Sequence, residues 1–276
     1  MVNTKKTKRY KKQIPTSRFI LITAVFLTLV GLLFWLFSGS DNSHTLVSDN
    51  KPRPQMSGSS EVANLAVADM YPTDEADSLW AVVNKGRSLP TGYAPADLTN
   101  PDIPLTGSAT SDNMKLRRDA AGALAEMSKA ANVNGIGIRL TSGYRSYATQ
   151  ASVYAQNAAT QGQAEADKTS AHPGHSEHQT GLAVDVEPLT GQCSLSQCFA
   201  TTPEGVWLSQ HAHEYGFIVR YQDDKVTQTG YSYEPWHLRF VGKDLAAQLY
   251  QSKKTMEEHF GLDYHTTYPK TTVQLR

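Results

Sequence analysis

The chain has only two cysteines among 276 residues, Cys193 and Cys198 in GQCSLSQC, so a four-cysteine metal knuckle is excluded. Neither stands beside an apolar run as a lipid-anchoring cysteine would. No internal repeat is present, which sets aside solenoids and propellers. Charge of one sign is missing overall: 26 basic and 26 acidic residues cancel. The cancellation hides an asymmetry. Lys5, Lys6, Lys8, Arg9, Lys11, Lys12 and Arg18 precede residue 19 without a single acid. The rest of the chain has nineteen bases against twenty-six acids, a net charge of −7. A body that acidic is a poor partner for nucleic acid.

One long hydrophobic run exists, the uncharged FILITAVFLTLVGLLFWLFS from Phe19 to Ser38. Twenty helical residues span about 30 Å, a bilayer's hydrocarbon thickness. With the bases ahead of it and Asp41 behind, residues 1–18 read as a basic cytoplasmic tail, 19–38 as a single membrane-spanning helix, and the remainder as extracytoplasmic. A cleaved signal peptide is the alternative. Its apolar region is usually about 7–15 residues and ends in small residues, whereas this run closes on Phe34, Trp35 and Phe37. In an exported domain, Cys193 and Cys198 read first as a disulfide closing a short loop, worth roughly 2 kcal/mol. Residues 39–70, rich in Ser, Asn, Asp, Gly and Pro, read as a flexible linker.

The domain proper is expected from Tyr71. Residues 71–108 are proline-rich and read as a wrapping segment without core. Met114, Leu116, Ala120, Leu124 and Met127 fall at helical spacing, predicting a helix over 112–131. Alternation predicts strands at 135–140, 182–187, 216–221 and 236–241. Further helices are expected at 147–161, 204–215 and 242–252, with 169–181 irregular. Helices mixed with short strands, without regular βαβ alternation, give an α+β fold with a small antiparallel sheet flanked by helices.

Eight of the nine histidines lie within 172–265. His178 precedes Gly181 and the strand bearing Asp185, so loop and strand could bring the two together. In Glu234-Pro235-Trp236-His237, Pro235 holds Glu234 extended and disturbs strict alternation, so Glu234 and His237 could share one cavity. Two imidazoles and a carboxylate suit Zn²⁺ with one open position. Spacing alone leaves open a turn-capping Asp185 and a core His237. His211 and His213 diverge on a helix, while His172 and His175 stand near enough to be candidate substrate contacts. His213-Glu214 is followed by Phe217, so no H-E-x-x-H exists.

The segments SEHQTGLAVDV and EPWH, with SGYRS, resemble the D-alanyl-D-alanine carboxypeptidase family of the VanY type, zinc peptidases of family M15. VVNKGRSLPTGYAPADL and HAHEYGFIVRY look like family segments too, and the resemblance covers roughly 79–247. It implies the fold shared with the Hedgehog signalling domain. It also implies one Zn²⁺ held by His178, Asp185 and His237, and Glu234 as general base. Arg145 would steady the scissile carbonyl or the substrate's terminal carboxylate, and Ser176, Gln150 and Tyr221 would line the pocket. The implied organisation is a zinc carboxypeptidase domain over 71–262, a tail over 263–276, and a monomer acting on a peptidoglycan stem peptide. Removal of its C-terminal D-alanine is the implied reaction. An L,D-carboxypeptidase, a peptidoglycan endopeptidase and a non-catalytic wall-binding module are the alternatives. A serine D,D-peptidase is excluded because K-T-G is absent.

Overall fold

A computed structural model describes residues 70–276 of the chain. The expected basic tail, membrane helix and nearly all of the linker lie outside the described residues. Among those residues no helix is long and apolar enough to cross a membrane.

In chain order the elements begin with β1 (Arg87–Ser88), β2 (Leu98–Thr99) and β3 (Leu116–Arg117). They continue with α1 (Arg118–Val133), β4 (Ile138–Ser142), α2 (Tyr147–Gln161), α3 (Gln163–Thr169) and β5 (Ala183–Pro188). The last part holds α4 (Pro203–His211), β6 (Phe217–Tyr221), α5 (Val226–Thr229), β7 (Glu234–Phe240), α6 (Lys243–Ser252), α7 (Met256–Phe260) and β8 (Val273–Gln274). This is the α+β class expected from the sequence. The central sheet is antiparallel in the order β4-β5-β7-β6.

Helix α1 forms because Ala120, Leu124, Met127 and Ala131 make one buried stripe on an alanine-rich segment. It packs on the sheet face built by Ile138, Leu140, Val184, Val186, Phe217 and Leu238. Strand alternation turns Asp185, Glu187, His237, Arg239 and Arg220 to the opposite face. The sheet is thus apolar toward α1 and carries ionisable groups on its other side. A second cluster joins Leu245 and Leu249 of α6 to Val82, Ile218 and Met256.

Three expectations are corrected. Helix α1 starts at Arg118 rather than Asp112, because Leu116 and Arg117 are extended and pair with Thr99 and Leu98. Residues 112–114 form only a short 3-10 turn. The segment 71–108 does wrap, yet it also feeds the interior: Ala81, Val82 and Val83 are fully buried. Residues 263–276 do not stand outside the domain. There β8 pairs in parallel with β1, Leu275 is buried, and the Arg276 backbone bonds to Asp74 and Ala76.

Candidate metal centre

Asp185 on β5 and His237 on β7 are register partners across the central sheet. Their side chains therefore leave the same face as close neighbours. His178 arrives from a 3-10 turn, Glu177–Thr180, that ends at Gly181 with φ +67°. A Cβ at Gly181 would meet Leu98 and Arg117 at 3.0 and 3.1 Å, so glycine satisfies both the backbone and the space. One ligand atom from each of His178, Asp185 and His237 lies within 4.8 Å of the others, and all three residues are buried. His178 Nε2 is 3.2 Å from Asp185 Oδ2, and His237 Nδ1 is 3.0 Å from Asp185 Oδ1.

The remaining ring nitrogens decide whether this set suits a metal. His178 Nδ1 donates to the Gly143 carbonyl at 2.7 Å, leaving Nε2 with its lone pair toward Asp185. His237 Nε2 faces Glu177 Oε2 at 3.5 Å, and neither atom has another hydrogen-bond partner among the described residues. A carboxylate there favours the proton on Nε2 and frees Nδ1. Both rings are therefore turned with an unprotonated nitrogen inward, beside a carboxylate. This donor set fits one Zn²⁺ with an open position.

Glu177 was not singled out from the sequence. It is fully buried, accepting from Arg220 Nε and Arg239 Nη1, each at 2.9 Å. Burial alone would raise its pKa, but the two guanidiniums hold it well below the usual carboxylate range. The available signal was a lone arginine inside each of two apolar strands, FIVRY and WHLRF.

Glu234 reaches the cavity through an irregularity. The β6–β7 register shifts between Val219 and Tyr221, so Tyr221 faces Glu234 while Val219 faces Leu238. Such a bulge re-aims a side chain, and it lets Glu234 and His237, three residues apart, occupy one face. Glu234 Oε2 is 3.8 Å from His237 Nδ1. Burial pushes its carboxyl up to about 8, against the pull of His237 and Arg145.

The SGYRS segment acts as a unit. Gly143 must be glycine, because a Cβ would sit 2.4 Å from the Lys115 carbonyl, and its own carbonyl orients His178. Arg145 donates to Gln150 Oε1 at 2.8 Å and to Ser142 Oγ at 2.9 Å. Burial lowers its pKa, while Asp185 and Glu234 support the charge. Arg145, Gln150, Ser176, His178, Asp185, Tyr221, Glu234 and His237 line one cavity of about 420 Å³. The sequence-predicted site residues thus converge.

His172 and His175 are corrected as substrate contacts. His172 stacks on Tyr268 and His175 bonds to the Asn84 carbonyl, and neither lines the cavity. Cys193 and Cys198 are joined in a disulfide that closes the loop carrying Leu195 to the cavity rim. A second cavity of about 280 Å³, lined by His213 and Tyr250, contains none of the residues facing the metal set.

A family model described as VanY, D-alanyl-D-alanine carboxypeptidase, matches residues 113–243. YodJ of Bacillus subtilis (strain 168) is 39% identical over 184 residues, covering 67% of this chain and 67% of YodJ. The LD-carboxypeptidase LdcB, solved to explain peptidoglycan recognition, is 38% identical, with a TM-score of 0.65 over 68% of this chain and 88% of LdcB. A glutamate-to-alanine variant of the vancomycin-resistance D,D-pentapeptidase VanY, solved with Zn(II), is 30% identical, with a TM-score of 0.55 over 67% of this chain and 99% of that one. Sequence match, shared fold and the convergence of two histidines, an aspartate, a glutamate and an arginine agree: the chain belongs to the VanY D-alanyl-D-alanine carboxypeptidase family.

Proposed function

We propose that the chain is a zinc carboxypeptidase that removes the C-terminal D-alanine from peptidoglycan stem peptides. The observation that carries this is the meeting of His178, Asp185 and His237 beside Glu234 and Arg145 in one cavity. His178 Nε2, His237 Nδ1 and an Asp185 oxygen would hold the ion. Bound there, zinc supplies Lewis acidity, polarising the scissile carbonyl and acidifying the attacking water.

The protein's own groups do the rest. Glu234 takes the proton of the attacking water and returns it to the leaving D-alanine amine. Its burial matches that task, since a raised pKa lets one carboxyl both accept and give a proton near neutrality. Arg145 is fixed by Gln150 and Ser142 and offers its remaining N–H groups to the terminal carboxylate, which selects a chain end. Buried Ser176 and Tyr221 shape the wall around that end.

A second reading, cleavage of the L–D bond of a tetrapeptide, is favoured by the greater similarity to LdcB than to VanY. Digestion of pentapeptide and tetrapeptide muropeptides, followed by mass spectrometry, separates the two. Loss of one alanine from the pentapeptide alone supports the D,D reading, and loss from the tetrapeptide alone supports the L,D one. Internal crosslink cleavage, or no cleavage, overturns both.

The uncharged run Phe19–Ser38 behind seven bases supports a cell-membrane protein with one span, a cytoplasmic N-terminus and an extracytoplasmic catalytic domain. Within that reading the enzyme works as a monomer on the cell's own wall. Protease added to spheroplasts should remove the domain while sparing an N-terminal tag, and a domain free in the medium would overturn the anchor.

A further inference from the structure

The segment after α7 lies outside the family-matched residues, yet one of its side chains touches the residues that wall the catalytic cavity. The Tyr268 ring stacks on His172 with centroids 3.6 Å apart and planes 10° apart. Its hydroxyl accepts from the His172 backbone N–H at 2.8 Å and lies 3.2 Å from the hydroxyl of Tyr231, a cavity residue. Lys85 pins the surrounding chain from behind, donating to the Gly230 and Thr266 carbonyls.

The His172 N–H belongs to the same peptide unit as the Ala171 carbonyl. That carbonyl accepts from Gln150 Nε2 at 2.7 Å. A peptide unit is planar, so its N–H and C=O turn together. Tyr268 holds one end of the unit and Gln150 grips the other. The Ala171 carbonyl can only accept, so it selects the NH₂ end of the Gln150 amide. Gln150 Oε1 is thereby turned to Arg145 Nη1, at 2.8 Å. An unbroken set of directional bonds runs from the C-terminal segment to the guanidinium.

We infer that Tyr268 is a positioning residue for Arg145, acting through the 171–172 peptide and Gln150. This rests on the reading that Arg145 meets the terminal carboxylate of the substrate. The role belongs to substrate capture rather than to proton transfer, because Tyr268 touches neither Glu234 nor the metal set.

The test is a double-mutant cycle with Tyr268→Phe, Gln150→Ala and the pair, assayed on a stem peptide with a free C-terminus. Tyr268→Phe keeps the stacked ring and loses the hydroxyl. It should raise KM about three- to tenfold, the worth of one neutral hydrogen bond, with kcat within about twofold. In the Gln150→Ala background the same change should add almost nothing, as expected for residues acting through one another. Calorimetric affinity for the peptide, measured in a Glu234→Gln background where turnover is slowed roughly 10²–10⁴-fold, should fall by the same factor. Should the phenylalanine variant be insoluble, Tyr268→Leu also lacks any hydrogen-bonding group and should raise KM at least as much. Additive effects, or a loss confined to kcat, would overturn the inference. Arg145→Ala is measured alongside. If it leaves KM unchanged, the carboxylate reading of Arg145 fails. If it raises KM while Tyr268→Phe does not, only the role of Tyr268 fails.

Discussion

Asp185 Oδ1 lies 3.0 Å from His237 Nδ1 because the two residues face each other directly across β5 and β7. Two of the three metal-facing donors are therefore set by the hydrogen-bond ladder rather than by loops. A slip of one residue would send either side chain to the apolar face against α1.

Purified protein should contain one zinc per chain by elemental analysis, and a chelator should abolish turnover. His237→Ala should lose both the metal and the activity. An active preparation without stoichiometric zinc contradicts the assignment.

Glu234→Gln should retain zinc and melt normally while losing roughly 10²–10⁴-fold in rate, the usual worth of a positioned general base. Metal content and kcat are measured on the same sample. Loss of zinc from this variant would make Glu234 a ligand instead.

A stem peptide with an amidated C-terminus leaves Arg145 without its charged partner, at a cost of about 2–5 kcal/mol. That corresponds to about thirty- to several-thousand-fold in kcat/KM. Arg145→Ala should erase most of this discrimination while lowering activity on both peptides. Equal cleavage of free and amidated peptides by the wild type would place Arg145 on the carbonyl oxygen alone.

The Glu177 carboxylate sits between Arg220 and Arg239 with no exposure. Its folded pKa is depressed, so the stabilisation is present above the unfolded value near about 4.3 and is lost as pH falls toward the folded one. Melting temperature should drop steeply below about pH 4 in the wild type and less steeply in Glu177→Gln. Near pH 7 that variant should be less stable by about 3 kcal/mol, because buried Arg239 loses its carboxylate partner while Arg220 keeps Glu257. Calorimetry from pH 3 to 7 checks both, and matching acid slopes would contradict the role given to Glu177.

The α+β class and helix α2 at 147–161 were legible in the sequence because periodicity is a local signal, whereas spacing left the site open and only the likeness of SGYRS, SEHQTGLAVDV and EPWH to family motifs drew its residues together. The start of α1 was not. Leu116 fits the helical stripe equally well, and only pairing with Thr99 makes it a strand. Glu177 stayed hidden because a charged residue is normally exposed, and its partners Arg220 and Arg239 lie 43 and 62 residues away. Residues 263–276 carry no apolar periodicity. Their place depends on Tyr268 meeting His172 and on two residues of parallel pairing, contacts that sequence spacing does not reveal.

The central strands and the rim of the cavity are built from different material. Asp185, His237 and Glu234 belong to β5 and β7, whereas Leu195 comes from a disulfide-closed loop and Ser176 from the irregular stretch ahead of His178. Leu195 and Ser176 can therefore be exchanged without touching the strands that carry the acid–base and metal-facing groups, whereas Tyr221, the other wall residue, belongs to β6 itself.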